Sequence, residues 1–304
     1  MYRTDLLAGK SILVTGGGTG LGASMAQRFA SLGARLWLCG RRAEVLDATA
    51  QALRAGTGAR VDTLVCDLRE AAQVEAMMAR IWADGPLDVL VNNAAATFVA
   101  QTERLSPRAV DAILAPTLHG AVYCTLEAGR RWIDAGRRGT VLSILSTSTI
   151  TGRAFTVPSA IAKSGVLAMT RSLAVEWGPK GIRLVAIAPG PFPTAATGTQ
   201  LGVRAQAGPV GAATPDAGPA ASAASDSGPG PVRESAADRN PTGRVGEHLE
   251  LANLACYLVS DEAAYVNGEM VTIDGGAHLR TSGAEDLLRW RDEDWAAQRA
   301  ARTR

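Results

Sequence analysis

Lysine is nearly missing from this chain. Of 31 basic residues only Lys10, Lys163 and Lys180 are lysines. Each is therefore informative, because arginine does not release its proton and replaces a compact ammonium poorly in a tight pocket. An excess of one charge is missing too: 31 basic residues against 29 acidic leave a net charge of +2, and the basic residues are scattered. That gives no reason to expect nucleic acid or an anionic membrane as partner. The four cysteines, Cys39, Cys66, Cys124 and Cys256, stand singly in apolar surroundings, so neither zinc nor a disulfide framework is expected. The three histidines, His119, His248 and His278, form no metal motif. A reduced, cytoplasmic setting fits. The opening MYRTDLLAGKSILVTG lacks the apolar core of a signal peptide, and no run of 18 apolar residues is there to span a bilayer.

What is present is alternation. The chain of 304 residues is 47% hydrophobic, enough for a sizeable core. Short apolar runs at 11–15, 35–39, 61–65, 87–91, 140–145, 183–187 and 270–273 read as strands. Amphipathic stretches at 20–32, 44–54, 70–83, 107–135, 159–177 and 246–259 read as helices. This order predicts the α/β class, with one parallel sheet and helices on both faces. Ligands then bind beyond the carboxyl ends of the strands. The stretch 197–240, rich in Ala, Gly, Pro and Ser, buries too little apolar surface to offset its ordering entropy. It reads as a mobile loop inside a single domain, either a tolerated insertion or a lid over the substrate. The charged tail at 283–300 places Leu287, Trp290 and Asp294 at helical spacing.

The first strand runs into Thr15-Gly-Gly-Gly-Thr-Gly-Leu-Gly22, and a helix follows. Glycines there permit a tight turn and let backbone N–H groups approach a pyrophosphate at a helix N-terminus. The pattern predicts a Rossmann-type, doubly wound dinucleotide site, with Gly16, Thr19, Gly20, Leu21 and Gly22 in the cradle. The second strand ends in Cys39-Gly-Arg41-Arg42. An acid there would suit the ribose of NAD; Arg41 and Arg42 suit the 2′-phosphate of NADP(H), or else they are solvated helix-entry charges.

The order of motifs resembles the classical short-chain dehydrogenase/reductases: TGGGTGLG at 15–22, CDL at 66–68, NNAA at 92–95, AIAPGP at 186–191 and IDGG at 273–276. The resemblance covers nearly the whole chain outside the 197–240 stretch. It implies that Asp67 and Leu68 lie by the adenine, Asn93 and Ala94 by the ribose, and Pro189 and Gly190 beside the nicotinamide. Within that family NNAAATF, TERLSP, TLEAGRRWI, FTVPSAIAKSGVLAM and TSGAEDL are most similar to the 2,4-dienoyl-CoA reductases, which use NADPH to reduce a conjugated thioester in fatty acid metabolism. It also implies a homotetramer, with the helices at 107–135 and 159–177 across a two-fold interface.

The family's tetrad of Asn, Ser, Tyr and Lys falls on Thr117, Ser146, Ser159 and Lys163. The dienoyl-CoA reductases carry serine in place of that tyrosine. Their mitochondrial type has a tyrosine fifteen residues before the lysine and an asparagine on the preceding helix; these positions are Ser148 and His119 here. The resemblance implies that Lys163 binds the nicotinamide ribose. Ser159, one turn earlier, shares its helix face and either bonds the ribose or a water, or caps the helix. Ser146 and Ser148, on one face by strand alternation, are candidate donors to the substrate carbonyl. His119, after the helix-disturbing Pro116, is either a proton donor or a partly buried structural histidine. Reducing a ketone creates a basic alkoxide that needs a good acid, which a serine hydroxyl is not. Reducing an activated C=C puts delocalised charge on a thioester oxygen, for which fixed hydrogen bonds suffice. The missing phenol therefore favours conjugate reduction. A carbonyl reductase, or an NADP-binding protein with little catalysis, are the alternatives.

Overall fold

The computed structural model describes residues 3–194, 235–237, 239–280, 287 and 290–302. Seven strands pair in parallel: β1 Ser11–Thr15, β2 Arg35–Gly40, β3 Val61–Val65, β4 Val89–Asn92, β5 Gly139–Ile144, β6 Ile182–Pro189 and β7 Met270–Ile273. Their order across the sheet is β3-β2-β1-β4-β5-β6-β7. β1, β4 and β6 are buried on both faces along most of their length, which explains their unbroken apolar runs. Alternation still divides their side chains. Ile12, Val14, Leu36 and Leu38 meet α1 (Gly20–Ser31), α2 (Ala43–Thr57) and a later helix, His248–Val259. Leu13, Trp37 and Leu90 meet α3 (Ala71–Asp84) and two long helices on the opposite face. Met25, Ala26, Phe29 and Ala30 of α1, spaced at helical intervals, form the stripe that seals the first layer.

The stretch expected as one helix over 107–135 is three segments. α4 (Pro107–Leu114) passes through a π turn, Ala115–His119, into α5 (Gly120–Asp134). Pro116 supplies the cause, since a residue without N–H cannot bond back up a regular helix. The sequence has no unbroken apolar run, yet residues 107–134 together are long and apolar enough to cross a bilayer by composition. Their buried residues, including Cys124, Ala128 and Trp132, instead pack into the core, and the Trp132 indole N–H donates to the Leu87 carbonyl at 2.6 Å. After β5 come α6 (Ser148–Thr151) and α7 (Val157–Trp177); α8 is the His248–Val259 helix and α9 is Asp292–Arg302.

Three other expectations shift. α8 begins two residues late, where the Glu250 carboxylate accepts the Glu247 N–H and closes the first turn. α9 begins at Asp292, so Leu287 and Trp290 precede it; Trp290 instead meets Trp295 edge-on, centroids 4.9 Å apart. Of the 197–240 stretch, 197–234 and residue 238 lie outside the described residues, and with them the lid. Its end does not behave as an unpacked loop: Asn240 is buried and its amide donates to the Asp274 carbonyl at 2.8 Å. Residues 283–286, 288 and 289 of the tail are likewise outside the described set.

Candidate active site

The strand order reverses between β1 and β4, and the predicted residues gather there, at the carboxyl ends of the strands. The Thr15 hydroxyl ties the two strands: it donates to Val91 O (3.1 Å) and accepts the N–H groups of Asn93 (2.9 Å) and Ala94 (3.0 Å). The Asn93 amide returns the bond to Thr15 O at 2.9 Å and Gly16 O at 3.3 Å. Asn93 thus braces the glycine turn from behind. Gly22 makes the turn close: a Cβ there would lie 2.4 Å from Gly16 O and 2.6 Å from the Asn93 amide. Thr49 on α2 donates to Gly18 O at 2.8 Å, fixing the outer rim. Thr19, exposed, is the residue before α1, and Gly20 and Leu21 open the helix. No acidic residue stands in that first turn, so the positive end of the helix dipole is left for an anion.

Arg41 and Arg42 follow β2 and are both exposed, with no ion pair among the described residues. Asp67 is otherwise engaged. Arg69 grips its carboxylate, with Nε 2.9 Å from both oxygens, and this holds the carboxyl below its usual range. Leu68 is buried and packs against Gly120 at the start of α5.

Lys163 sits on the second turn of α7 and is buried. One N–H donates to the Ile144 carbonyl at the end of β5, and the other two have no partner among the described residues. Burial lowers its pKa from 10.5 to about 8. Ser159 is one turn earlier on the same helix and half-buried. It is the third residue of α7, which begins at Val157, so the capping role is excluded. Its hydroxyl has no hydrogen bond among the described residues. The two serines after β5 do not alternate on a strand. Thr147 is helical, and Ser148 opens the one-turn α6, so the chain curls and the Ser148 N–H donates to the Ser146 hydroxyl at 3.3 Å. Ser146 is half-buried and Ser148 buried.

Thr117, buried in the π turn, accepts the Ala96 N–H at 3.0 Å and so pins the loop after β4. His119 is exposed, against the reading of a partly buried structural histidine, and its ring tilts toward Tyr123 with centroids 6.2 Å apart. Pro189 ends β6, and the Gly190 N–H donates to the Ile273 carbonyl at 2.9 Å, placing this segment beside β7. The sequence reading passed over Thr194. Its methyl lies 3.5 Å from where a Gly20 Cβ would be, which brings the segment after β6 over the cradle.

Comparison with known proteins agrees with this geometry. The family model for short chain dehydrogenase matches residues 10–202, and one described as Enoyl-(Acyl carrier protein) reductase matches 216–278. A probable 2,4-dienoyl-CoA reductase 3, (3E)-enoyl-CoA-producing, from Caenorhabditis elegans is 36% identical over 97% of this chain and 89% of its own length. A probable 2,4-dienoyl-CoA reductase, (2E)-enoyl-CoA-producing, from Bacillus subtilis is 35% identical over 89% of this chain and 97% of its own. Relatives named as sugar-alcohol dehydrogenases also match. Among solved structures, a short chain dehydrogenase from Bacillus anthracis superposes with a TM-score of 0.74 at 34% identity, covering 90% of this chain and 98% of its own. With a seven-stranded parallel sheet, a glycine cradle at its switch point and these matches, the chain belongs to the short-chain dehydrogenase/reductase family of oxidoreductases.

Proposed function

We propose that the chain uses NADPH to reduce a conjugated C=C bond in an enoyl- or dienoyl-CoA-type thioester. The observation that carries the reading is the pair of Ser159 and Lys163: where carbonyl reduction calls for a phenol one turn before the ammonium, this helix holds a serine. The residues present suit a dinucleotide. The glycine turn leads into a first turn of α1 without an acidic residue, which suits a pyrophosphate, the Lys163 ammonium has two N–H groups to spare for ribose hydroxyls, and Arg41 and Arg42 offer two exposed cations for a 2′-phosphate. Asp67, Leu68, Asn93, Ala94, Pro189 and Gly190 line the remainder of that site.

When bound, NADPH supplies the hydride; the chain's residues must manage the charge it creates. Negative charge develops on the thioester oxygen, where hydroxyls of Ser146, Ser148 and Ser159 serve as neutral donors. The buried Lys163 ammonium adds a positive field in a medium that screens it weakly. His119, exposed at the end of the π turn, exchanges protons with water and supplies one to the product. Val99 and Phe155 are exposed apolar residues on adjoining loops, joined where the Ala100 N–H donates to Phe155 O at 3.0 Å, and they suit an acyl chain.

The named dienoyl-CoA reductases among the relatives support this substrate class. Exposed Leu126 on α5 and Ile161 and Val175 on α7 support packing of these helices in a homotetramer. β7 follows the 195–234 stretch yet pairs with β6, which supports one domain. Product analysis tests the reading. Incubation with NADPH and a 2,4-dienoyl thioester should yield a product with one double bond fewer and the thioester carbonyl intact. Reduction of ketones to alcohols, with dienoyl thioesters untouched, would overturn it. His119→Ala should reduce turnover while leaving NADPH affinity unchanged; unchanged turnover removes His119 from the mechanism.

A further inference from the structure

The segment after β6 reads Pro189-Gly-Pro-Phe-Pro-Thr194, with proline at every second position. Proline cannot donate a backbone hydrogen bond and fixes its own φ, so this strap is stiff and, beyond the Gly190 N–H, is held through its carbonyls. The Pro189 carbonyl accepts from Thr147 N (3.4 Å) and the Pro191 carbonyl from Gly246 N (3.0 Å). The Pro193 carbonyl accepts from a side chain, His248 Nε2, at 2.6 Å. Between them Phe192 is buried so closely against Gly246 that a Cβ there would lie 2.4 Å from its ring. The strap's near end is thus locked by backbone and packing. Toward its far end, next to Thr194, the Pro193 carbonyl is tied by an imidazole.

That imidazole reaches further. Its Nδ1 lies 2.7 Å from the Ser24 hydroxyl on α1, which itself lies 3.1 Å from the Gly20 carbonyl. The Pro193 carbonyl can only accept, so Nε2 carries a proton in both charge states of the ring. In the neutral ring Nδ1 accepts the Ser24 O–H. In the cation Nδ1–H donates to Ser24, whose proton then turns to Gly20 O. The bond to the strap is the same in either case.

We propose that His248 is a positioning residue that fixes the distance between the strap and the first turn of α1. It acts through Pro193 and Ser24 rather than by touching a ligand. The inference rests on the reading of this cleft as a dinucleotide site, in which the strap lies by the nicotinamide and the cradle by the pyrophosphate of one molecule. A fixed separation pre-organises both, so less ordering is required on binding.

The test uses the full chain with NADPH. His248→Ala should weaken NADPH binding about five- to tenfold, the effect of losing one or two good hydrogen bonds. KM for the thioester should stay unchanged, and kcat should fall less than NADPH affinity. Hydrogen exchange should speed up at the Phe192 and Thr194 amides while the amides of 251–259 stay protected. His248→Gln, which keeps an N–H donor of similar reach, should restore part of the affinity. Ser24→Ala in the His248→Ala background should cost nothing more, because both changes break one chain of bonds. Wild-type affinity and wild-type exchange at 192–194 in His248→Ala would overturn the positioning role alone. A wild-type protein that binds neither NADPH nor NADH overturns the dinucleotide reading and the positioning role together.

Discussion

The two edges of the sheet treat charge in opposite ways. At the amino edge Arg35 and Arg60 share Asp62 and Asp84, Lys10 reaches Asp261 at 2.9 Å and Arg137 reaches Asp88 at 3.6 Å. Arg183, half-buried, spends its guanidinium on the carbonyls of Leu258, Ser260 and Val266. At the carboxyl edge Arg69 pairs with Asp67 and Arg244 with Glu250. Arg41 and Arg42 make no ion pair among the described residues, and the Lys163 ammonium is buried with one carbonyl for company. Ion pairs predominate at the first edge, whereas the second leaves three cations next to the glycine cradle and α7 without one among the described residues. A fold does not spend burial on an unneutralised ammonium for its own stability, because desolvation penalises the charged form. On the proposed reading, these unpaired cations mark where an anionic ligand completes the structure.

This contrast can be broken most severely at Lys163. Lys163→Ala should lower turnover roughly 10²–10³-fold, the scale of removing one preorganised charge donor, as measured by NADPH-dependent reduction. An unchanged rate would show that the ammonium is idle. Gly22→Ala comes next: its Cβ forces Gly16 and Asn93 apart, and NADPH affinity by fluorescence titration should fall about 100-fold. Arg41→Ala and Arg42→Ala should each reduce the preference for NADPH over NADH roughly tenfold, the worth of a charge-assisted bond. Equal losses for both nucleotides would refute the 2′-phosphate assignment.

A smaller effect comes from pH. Lys163 is an ammonium below pH about 8 and loses its proton above it, so NADPH affinity should decline a few-fold as pH rises through 8. Stability of the ligand-free protein runs the other way. The unfolded chain keeps this proton up to its ordinary value of 10.5, so between about 8 and 10.5 rising pH favours the folded state. Asp84→Asn at the amino edge should lower Tm slightly and leave both kcat and NADPH affinity alone. Arg35 and Arg60 hold that carboxyl below its usual range, so its contribution is present at neutral pH and lost on acidification.

The sequence exposed the sheet more fully than the site. β1, β3 and β7 begin and end where the sequence places them; β1 is fully buried, while β3 and β7, the outer strands, are marked by their β-branched residues instead. The cradle was equally plain, since glycines at fixed spacing admit few other uses. The π turn was visible only as Pro116, because a proline tells that a helix is disturbed but not how it recovers. Ser146 and Ser148 were read as strand neighbours, and only the fold shows the chain curling between them. His248 and Thr194 act across 224 and 174 positions of chain, on Ser24 and Gly20, and no local pattern records such partners.

The π turn also constrains what the chain can become. A π turn carries one residue more than regular winding needs, and each residue of an α-helix turns the next by about 100°. Deleting one of residues 115–119 would return the rod to regular winding with Cys124, Ala128 and Trp132 of α5 still facing the core they fill. Thr117 would lose its hold on Ala96 in the same stroke. The irregularity therefore serves the loop it pins after β4 rather than the packing of α5.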